Sequence, residues 1–109
     1  MYLIVTRSFP PEVGGMQNLM WGLAKEMSKN FMTKVFADYY ENHNQFDKNE
    51  NFSIERVGGI KFLRKIRKAQ LINEYVKENK VQGIIADHWK SLELIKTDKK
   101  KYCLIHGKE

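Results

Sequence analysis

The sequence predicts an α/β fold, a doubly wound and mostly parallel five-stranded sheet in the order 3-2-1-4-5 with helices on both faces. Three observations predict it. Four short segments are almost continuously apolar, as expected of strands that are covered on both faces. Apolar stripes with helical spacing alternate with these segments along the chain. A fifth strand-like segment is too polar for a central position, and right-handed crossovers then give the strand order.

The elements follow in a regular order. Between the first two apolar segments, a helical stripe runs from Met16 to Met27, and Asn30 is the expected left-handed cap of that helix. A second stripe, from Phe62 to Val76, predicts another helix. The apolar segments are residues 2–6, 34–37, 83–86 and 102–105, the polar edge strand is 53–57, and segments 38–51 and 97–101 are polar connections.

Length and composition limit the classes of protein to be considered. The 109 residues suffice for one compact domain, and a content of 42% hydrophobic and 29% charged residues is that of a folded chain. No stretch is apolar enough to cross a bilayer and no basic leader precedes the first strand, so we expect a cytoplasmic location. A formal net charge of +6 favours anionic partners. Nucleic acid is not expected, because no aromatic and basic motif accompanies that charge.

The loop after the first strand carries the most informative motif. It reads Thr-Arg-Ser-Phe-Pro-Pro-Glu-Val-Gly-Gly over residues 6–15. Two prolines stiffen the loop, and Gly14 and Gly15 let the backbone approach a ligand where unpaired amides and the positive end of a helix dipole point outward. The pattern suits a phosphate or a sugar, although a simple tight turn is an open alternative. It is neither a dinucleotide fingerprint nor a Walker loop.

Three segments together resemble family-4 glycosyltransferases, which have the GT-B fold. Residues 9–18, Phe-Pro-Pro-Glu-Val-Gly-Gly-Met-Gln-Asn, resemble the opening loop and helix of that family. Residues 84–92, Ile-Ile-Ala-Asp-His-Trp-Lys-Ser-Leu, are similar to its fourth strand and the loop that follows. Residues 104–109, Leu-Ile-His-Gly-Lys-Glu, are similar to its fifth strand and histidine-glycine turn.

The resemblance implies a reaction and a domain. It implies transfer of a sugar from a nucleotide-sugar co-substrate to a hydroxyl acceptor with retention, without a metal or another cofactor. Residues 1–109 would be an incomplete N-terminal acceptor-side Rossmann-like domain, the Rossmann-like half of a GT-B fold, with the donor-binding domain absent. We therefore expect no activity from this chain alone. The alternative is a non-catalytic interaction or membrane-docking subunit that partners a separate donor-binding chain.

The resemblance also implies site residues. Gly14 and Gly15 would meet the donor diphosphate and the reacting sugar, and their amides would stabilise charge on the leaving phosphate. His106 would act in catalysis by positioning and electrostatics near the transferred sugar. A structural histidine at a strand end is the alternative for His106.

The acceptor would lie near the ends of strands one and four. Asp87 and His88 would orient it, with a helix cap by Asp87 as the alternative. Arg7 would contact an acceptor phosphate or carboxylate, unless it is a plain surface cation. Trp89 is expected to pack in the core rather than to stack on a sugar.

The second helix also carries a cluster of cations. The outer face of this helix could dock on an anionic membrane, and a solvated basic face is the alternative. The five cations are Lys61, Arg64, Lys65, Arg67 and Lys68.

Overall fold

The computed structural model describes residues 1–105 and contains a five-stranded sheet in the order β3-β2-β1-β4-β5. All four strand pairings are parallel, which confirms the predicted fold class and strand order. In chain order the elements are β1 (Tyr2–Thr6), α1 (Gly15–Ser28), β2 (Thr33–Asp38), α2 (His43–Lys48), β3 (Ser53–Val57), α3 (Lys61–Glu78), β4 (Gly83–His88), a 3₁₀ helix (Trp89–Leu92) and β5 (Lys100–Ile105).

The sheet has one apolar cluster on each face. Side chains alternate between the faces of a strand, so Leu3 and Val5 of β1 pack on one side and Ile4 on the other. The cluster around Leu3 includes Ile72 of α3, whereas the cluster around Ile4 includes Met20 of α1. The two long helices therefore cover opposite faces, as predicted from their apolar stripes.

The polar segment 38–51 differs from the prediction, because it contains helix α2. Phe46 of this helix packs edge-on against Phe9 with ring centroids 6.1 Å apart, so the segment is anchored by apolar burial rather than solvated throughout. Among the non-glycine residues of 1–105, the one with left-handed backbone is Asn42, at the start of α2, with φ 59°. The predicted left-handed cap at Asn30 is wrong, because α1 ends through backbone hydrogen bonds from Lys29 and Asn30 to the preceding turn.

Parallel pairing brings the carboxyl ends of all five strands to one edge of the sheet. Thr6 of β1 lies beside Ala37 of β2, and His88 of β4 lies beside Ile105 of β5. The segments that leave these strands therefore meet at one rim, the usual ligand edge of an open α/β sheet. Within residues 1–105, no helix is both long and apolar enough to span a membrane.

Candidate functional site

A crevice of about 410 Å³ opens at the carboxyl edge, on the face of the sheet that α3 covers. It lies between the first half of α3 and the 3₁₀ helix. Its lining combines six cations with one carboxylate and a small apolar floor. The lining residues are Arg7, Asp38, Lys61, Phe62, Arg64, Lys65, Lys68, Ala69, Ile72, Lys90 and Ser91.

Asp38 is the carboxylate of the crevice. It follows Ala37 as the last residue of β2, and its two oxygens pair with two cations of α3. Oδ1 accepts a hydrogen bond from Lys68 Nζ, and Oδ2 lies 3.1 Å from Arg64 Nε. One partly buried carboxylate is therefore shared by two cations, and the cluster keeps a positive charge.

Lys68 is 5% exposed, and its ammonium also donates to the carbonyl oxygen of Thr6 over 3.1 Å. Burial lowers the pKa of Lys68 below its usual value of 10.5, and the negative charge of Asp38 opposes that shift. An anion in the crevice would act in the same direction as Asp38. The ammonium is thus a buried positive charge with only partial compensation.

The structure corrects the predicted outer basic face. Lys68 does not belong to that face, because its side chain is buried. Successive spacings of four, three and four residues place Lys61, Lys65, Lys68 and the buried Ile72 on one stripe of the helix. That spacing was available in the sequence and indicates a common helix face. Phe62, which was expected in the core, is instead 70% exposed at the mouth of the crevice.

Asp87 ends the apolar run of β4 and is 2% exposed. Its Oδ2 accepts hydrogen bonds from the backbone N–H of Arg7 over 3.1 Å, from Arg7 Nε over 3.4 Å and from Thr6 Oγ1 over 3.3 Å. Its Oδ1 accepts from Ser91 Oγ over 2.7 Å. Asp87 therefore connects the end of β1 to the 3₁₀ helix and holds the half-exposed Arg7 beside the crevice.

The turn after β4 differs from two expectations, the helix cap considered for Asp87 and the core position expected for Trp89. The cap of the 3₁₀ helix is His88, whose Nδ1 accepts from the backbone N–H of Lys90 over 3.2 Å, and not Asp87. Trp89 is 46% exposed, so its predicted place in the core is wrong. The indole ring lies 5.7 Å from the His88 ring and 5.9 Å from Lys90 Nζ, so an aromatic surface flanks the cationic crevice.

Aromatic packing of Phe9 holds the proline-containing loop of residues 7–14 in place. Phe9 is buried and contacts Phe46 and Phe52 edge-on, with ring centroids 6.1 and 6.4 Å away. The peptide bond between Pro10 and Pro11 is cis. Since Phe9 anchors the middle of the loop, the residues on either side are held at the carboxyl edge.

Arg56 supports the same loop, a role that the sequence did not reveal. Its Nη2 donates to the carbonyl oxygen of Pro10, and its guanidinium pairs with Asp47 of α2 over 2.8 and 3.1 Å. Asp47 in turn contacts His43 Nδ1 at 2.8 Å. Arg56 was expected on a polar edge strand, and its buried position depends on α2, which was not predicted.

Gly14 and Gly15 stand where the sequence placed them, at the start of α1. Gly14 is extended, and a Cβ added there would meet Gln17 Oε1 at 2.2 Å. A Cβ added to Gly15 would have no atom within 4 Å, so the space beside that residue is open. The first-turn amides of a helix have no intrahelical acceptor and favour anions.

The predicted site residues divide into two groups at this edge. Arg7 lines the crevice, with Asp87 bonded to it and His88 nearby in the capped turn. Gly14 and Gly15 begin the helix on the opposite face, and they are not part of the crevice lining. The loop of residues 7–14 joins the two groups. His106 lies outside the described residues, after the last described residue of β5.

Comparison with known proteins assigns no family to this arrangement. No protein-family model matches the chain, and a search of curated proteins gave no match. Within residues 1–105, no group of three histidine, cysteine, aspartate or glutamate side chains is arranged to hold a metal ion. The basis for proposing a function is therefore the geometry of the rim together with the resemblance of the three sequence segments.

Asp38 and Lys90 are the crevice residues that sequence reasoning missed. Asp38 directly follows the apolar run of β2, as Asp87 follows that of β4, so its position at the carboxyl edge was readable. Lys90 directly follows Asp87, His88 and Trp89, the residues of that segment for which the sequence predicted roles.

Proposed function

We propose that this chain is the acceptor-side part of a glycosyltransferase that uses a nucleotide-sugar donor and transfers the sugar with retention to a hydroxyl acceptor. The chain alone transfers no sugar in this proposal, because the donor nucleotide requires a second domain. The three sequence segments that resemble family-4 glycosyltransferases give the proposal its reaction. A diglycine helix start on the same rim as a cationic crevice is the structural observation that supports it most directly.

The donor side of the proposal rests on the start of α1. Free amides and the positive end of the helix dipole would stabilise the negative charge that grows on a leaving diphosphate. The open space beside Gly15 lets a ligand reach these amides. In this proposal His106, which lies outside the described residues, keeps the catalytic role that the resemblance implies.

The acceptor side rests on the crevice. Arg7 borders it, while Asp87 and His88 hold the turn that forms one wall. In this proposal Arg7 contacts the acceptor directly, and Asp87 acts through Arg7 as a positioning residue. The loop of residues 7–14 connects the crevice to the diglycine bend, so donor and acceptor would meet above the end of β1.

The test is a transfer assay on the complete reading frame that contains this chain. We expect a second α/β domain, either encoded by that frame or contained in a co-purified second chain. The assembled protein should consume a nucleotide-sugar when it is incubated with total cell extract as the source of acceptor. Purified residues 1–109 should show no turnover with the same donors. Turnover by residues 1–109 alone, or no donor consumption by the assembled protein, would contradict the proposal.

A pair of glycine variants tests the donor-side role. Gly15→Ala should lower the transfer rate at least tenfold, since its new methyl group occupies the open space where the diphosphate would approach. Gly22→Ala in the same helix is the matched control, because its Cβ also meets no atom within 4 Å. Gly22→Ala, in the middle of the helix, should raise helix stability by about 0.5–1 kcal/mol, and Gly15→Ala, at the first helical residue, should raise it by less. Equal activity of the two variants would exclude the diglycine bend from the donor site.

A second candidate function, docking on an anionic membrane, is favoured by exposed apolar side chains at the start of α3. Ile60, Phe62 and Leu63 are all exposed, and they alternate with Lys61 and Arg64. Apolar and basic side chains in one helical turn are typical of interfacial helices. Lys68 takes no part in this surface, because it is buried.

Vesicle flotation tests the membrane candidate. We expect recovery of the chain with phosphatidylcholine vesicles that contain phosphatidylserine and less recovery with phosphatidylcholine alone. Leu63→Ser should reduce recovery severalfold, whereas Leu94→Ser, at another exposed leucine, should leave it unchanged. Equal recovery with the two vesicle types would exclude charge-dependent docking.

A further inference from the structure

We propose that the crevice binds the phosphate group of a phosphomonoester, with the rest of the ligand lying over the apolar floor. If the proposed function holds, this compound is the acceptor; binding itself does not depend on sugar transfer. The inference rests on the charge, the remaining hydrogen-bond donors and the dimensions of the crevice.

The charge of the crevice is positive after its internal ion pairs are counted. Asp38 compensates one of the six lining cations, and two acids beside the lining, Asp87 and Glu93, pair with Arg7 and Lys65. Among residues 1–105, no acid forms an ion pair with Lys61 or Lys90. A concave surface of one sign with apolar walls concentrates ligands of the opposite charge.

Donors remain after the internal hydrogen bonds are made. The guanidinium of Arg64 has five N–H groups, and its described contacts are from Nε to Asp38 and from Nη1 to the carbonyl oxygen of Gly59 over 3.4 Å. Arg7 uses its Nε for Asp87. Its Nη groups make no hydrogen bond or ion pair described within residues 1–105. The fork of an arginine suits two oxygens of a phosphate, so both residues are suited to a dianionic group.

The dimensions of the crevice suit a small phosphomonoester. A volume of about 410 Å³ is within the range of small-molecule sites, roughly 300–1,000 Å³. Ala69 and Ile72 are buried in the floor, and Phe62 stands exposed at the mouth. A ligand with a phosphate at one end and a compact apolar or sugar-like body at the other would use both the cations and this floor.

Phenyl phosphate is a suitable probe, with phenol as its neutral counterpart. Titration of the full chain by calorimetry and by amide chemical shifts should give one site for phenyl phosphate, centred on the first half of α3 and on residues 89–91. Phenol should bind at least tenfold more weakly. Equal affinity for the two compounds, or shifts centred elsewhere, would overturn the inference.

Two double variants distinguish binding in the crevice from attraction by the net positive charge of the chain. Lys61→Gln with Lys90→Gln should weaken phenyl phosphate binding about tenfold, since both lysines line the crevice. Lys77→Gln with Lys80→Gln removes the same charge elsewhere. Lys77 is sixteen residues along α3 from Lys61, about 24 Å at the rise of a helix, which is beyond the screening length at physiological salt. Equal losses of phenyl phosphate affinity in the two double variants would mean that binding depends on net charge alone, and this result would overturn the inference.

Vesicles distinguish the two sources of a phosphomonoester. If phenyl phosphate displaces the chain from phosphatidylcholine vesicles that contain phosphatidic acid, the crevice takes a lipid headgroup. If phenyl phosphate binds and those vesicles do not, the ligand is a free small molecule. Both results support a phosphate site, and both stand whatever the Gly15→Ala assay shows about sugar transfer.

Discussion

Asp38→Asn should lower the free energy of unfolding by about 3–5 kcal/mol, the range for removing one partner of a buried ion pair. The substitution keeps the size of the side chain but removes the negative charge between Lys68 and Arg64. The ammonium of Lys68 would then be buried without a directly bonded anion. Urea unfolding followed by circular dichroism measures the loss.

The pH dependence gives this prediction a second, independent signature. Burial lowers the pKa of folded Lys68 below 10.5, and loss of Asp38 should lower it further. Between the folded pKa and 10.5 the unfolded chain binds more protons than the folded chain, so stability rises with pH in that window. The stability deficit of Asp38→Asn should therefore shrink as the pH is raised from the lowered pKa of Lys68 towards 10.5. Lys68→Met in the same background should abolish that recovery.

Asp98→Asn is the matched control, because Asp98 is exposed and forms none of the described ion pairs. It should change the free energy of unfolding by less than about 0.5 kcal/mol. A similar small effect for Asp38→Asn would mean that the ion pairs at the crevice are solvated and contribute little.

The strand order followed from the sequence because apolar burial determines it. β1 and β4 are almost continuously apolar and lie at the centre, and the polar β3 lies at an edge. Such runs are typical of strands covered on both faces. The apolar segment 102–105 is different, because β5 lies at the other edge of the sheet and Tyr102 is 49% exposed. The start of α1 was equally readable, since Gly14 and Gly15 interrupt the pattern just before its apolar stripe.

The partners of the charged residues could not be read in the same way. Arg56 reaches Pro10 and Asp47 only because the intervening segment folds into α2, whose stability depends on packing of Phe46 against Phe9. A six-residue helix is too short to be indicated by periodicity or to form in isolation. The partners of Arg56 therefore depend on long-range tertiary contacts, which a local sequence pattern does not reveal.

The predicted position of Lys68 was wrong for a different reason, because its charge was given more weight than its spacing along the helix. Its spacing from Ile72 indicated the inner face, but a lysine among other cations was assigned to solvent. The inner position is tolerated because β2 ends in Asp38 directly beneath it. An acid at a strand end and a lysine on the covering helix are together a signal for a buried pair, although neither alone is.

Asp87→Ala should lower the free energy of unfolding by about 3 kcal/mol, because it removes a buried carboxylate that accepts several hydrogen bonds from partly buried donors. The donors left without their partner are the backbone N–H of Arg7 and the hydroxyl of Ser91, whereas the hydroxyl of Thr6 keeps its hydrogen bond of 2.8 Å to the carbonyl oxygen of Ser8. Asp87→Asn retains one carbonyl oxygen and should lose less. Urea unfolding checks both values, and Asp98→Ala, at an exposed aspartate, should stay within about 0.5 kcal/mol.

A double-mutant cycle with Arg7→Gln shows which contacts of Asp87 carry that loss. The Arg7 side chain is half-exposed and 3.4 Å from Asp87, so its coupling energy with Asp87 should be only about 0.2–1 kcal/mol. The greater part of the loss should persist in the Arg7→Gln background, where the partly buried backbone N–H of residue 7 and the hydroxyl of Ser91 still lose their acceptor. A coupling that accounts for the whole loss would instead make the guanidinium the main partner. Arg7 would then be too firmly held by Asp87 to serve as a ligand-binding side chain of the crevice.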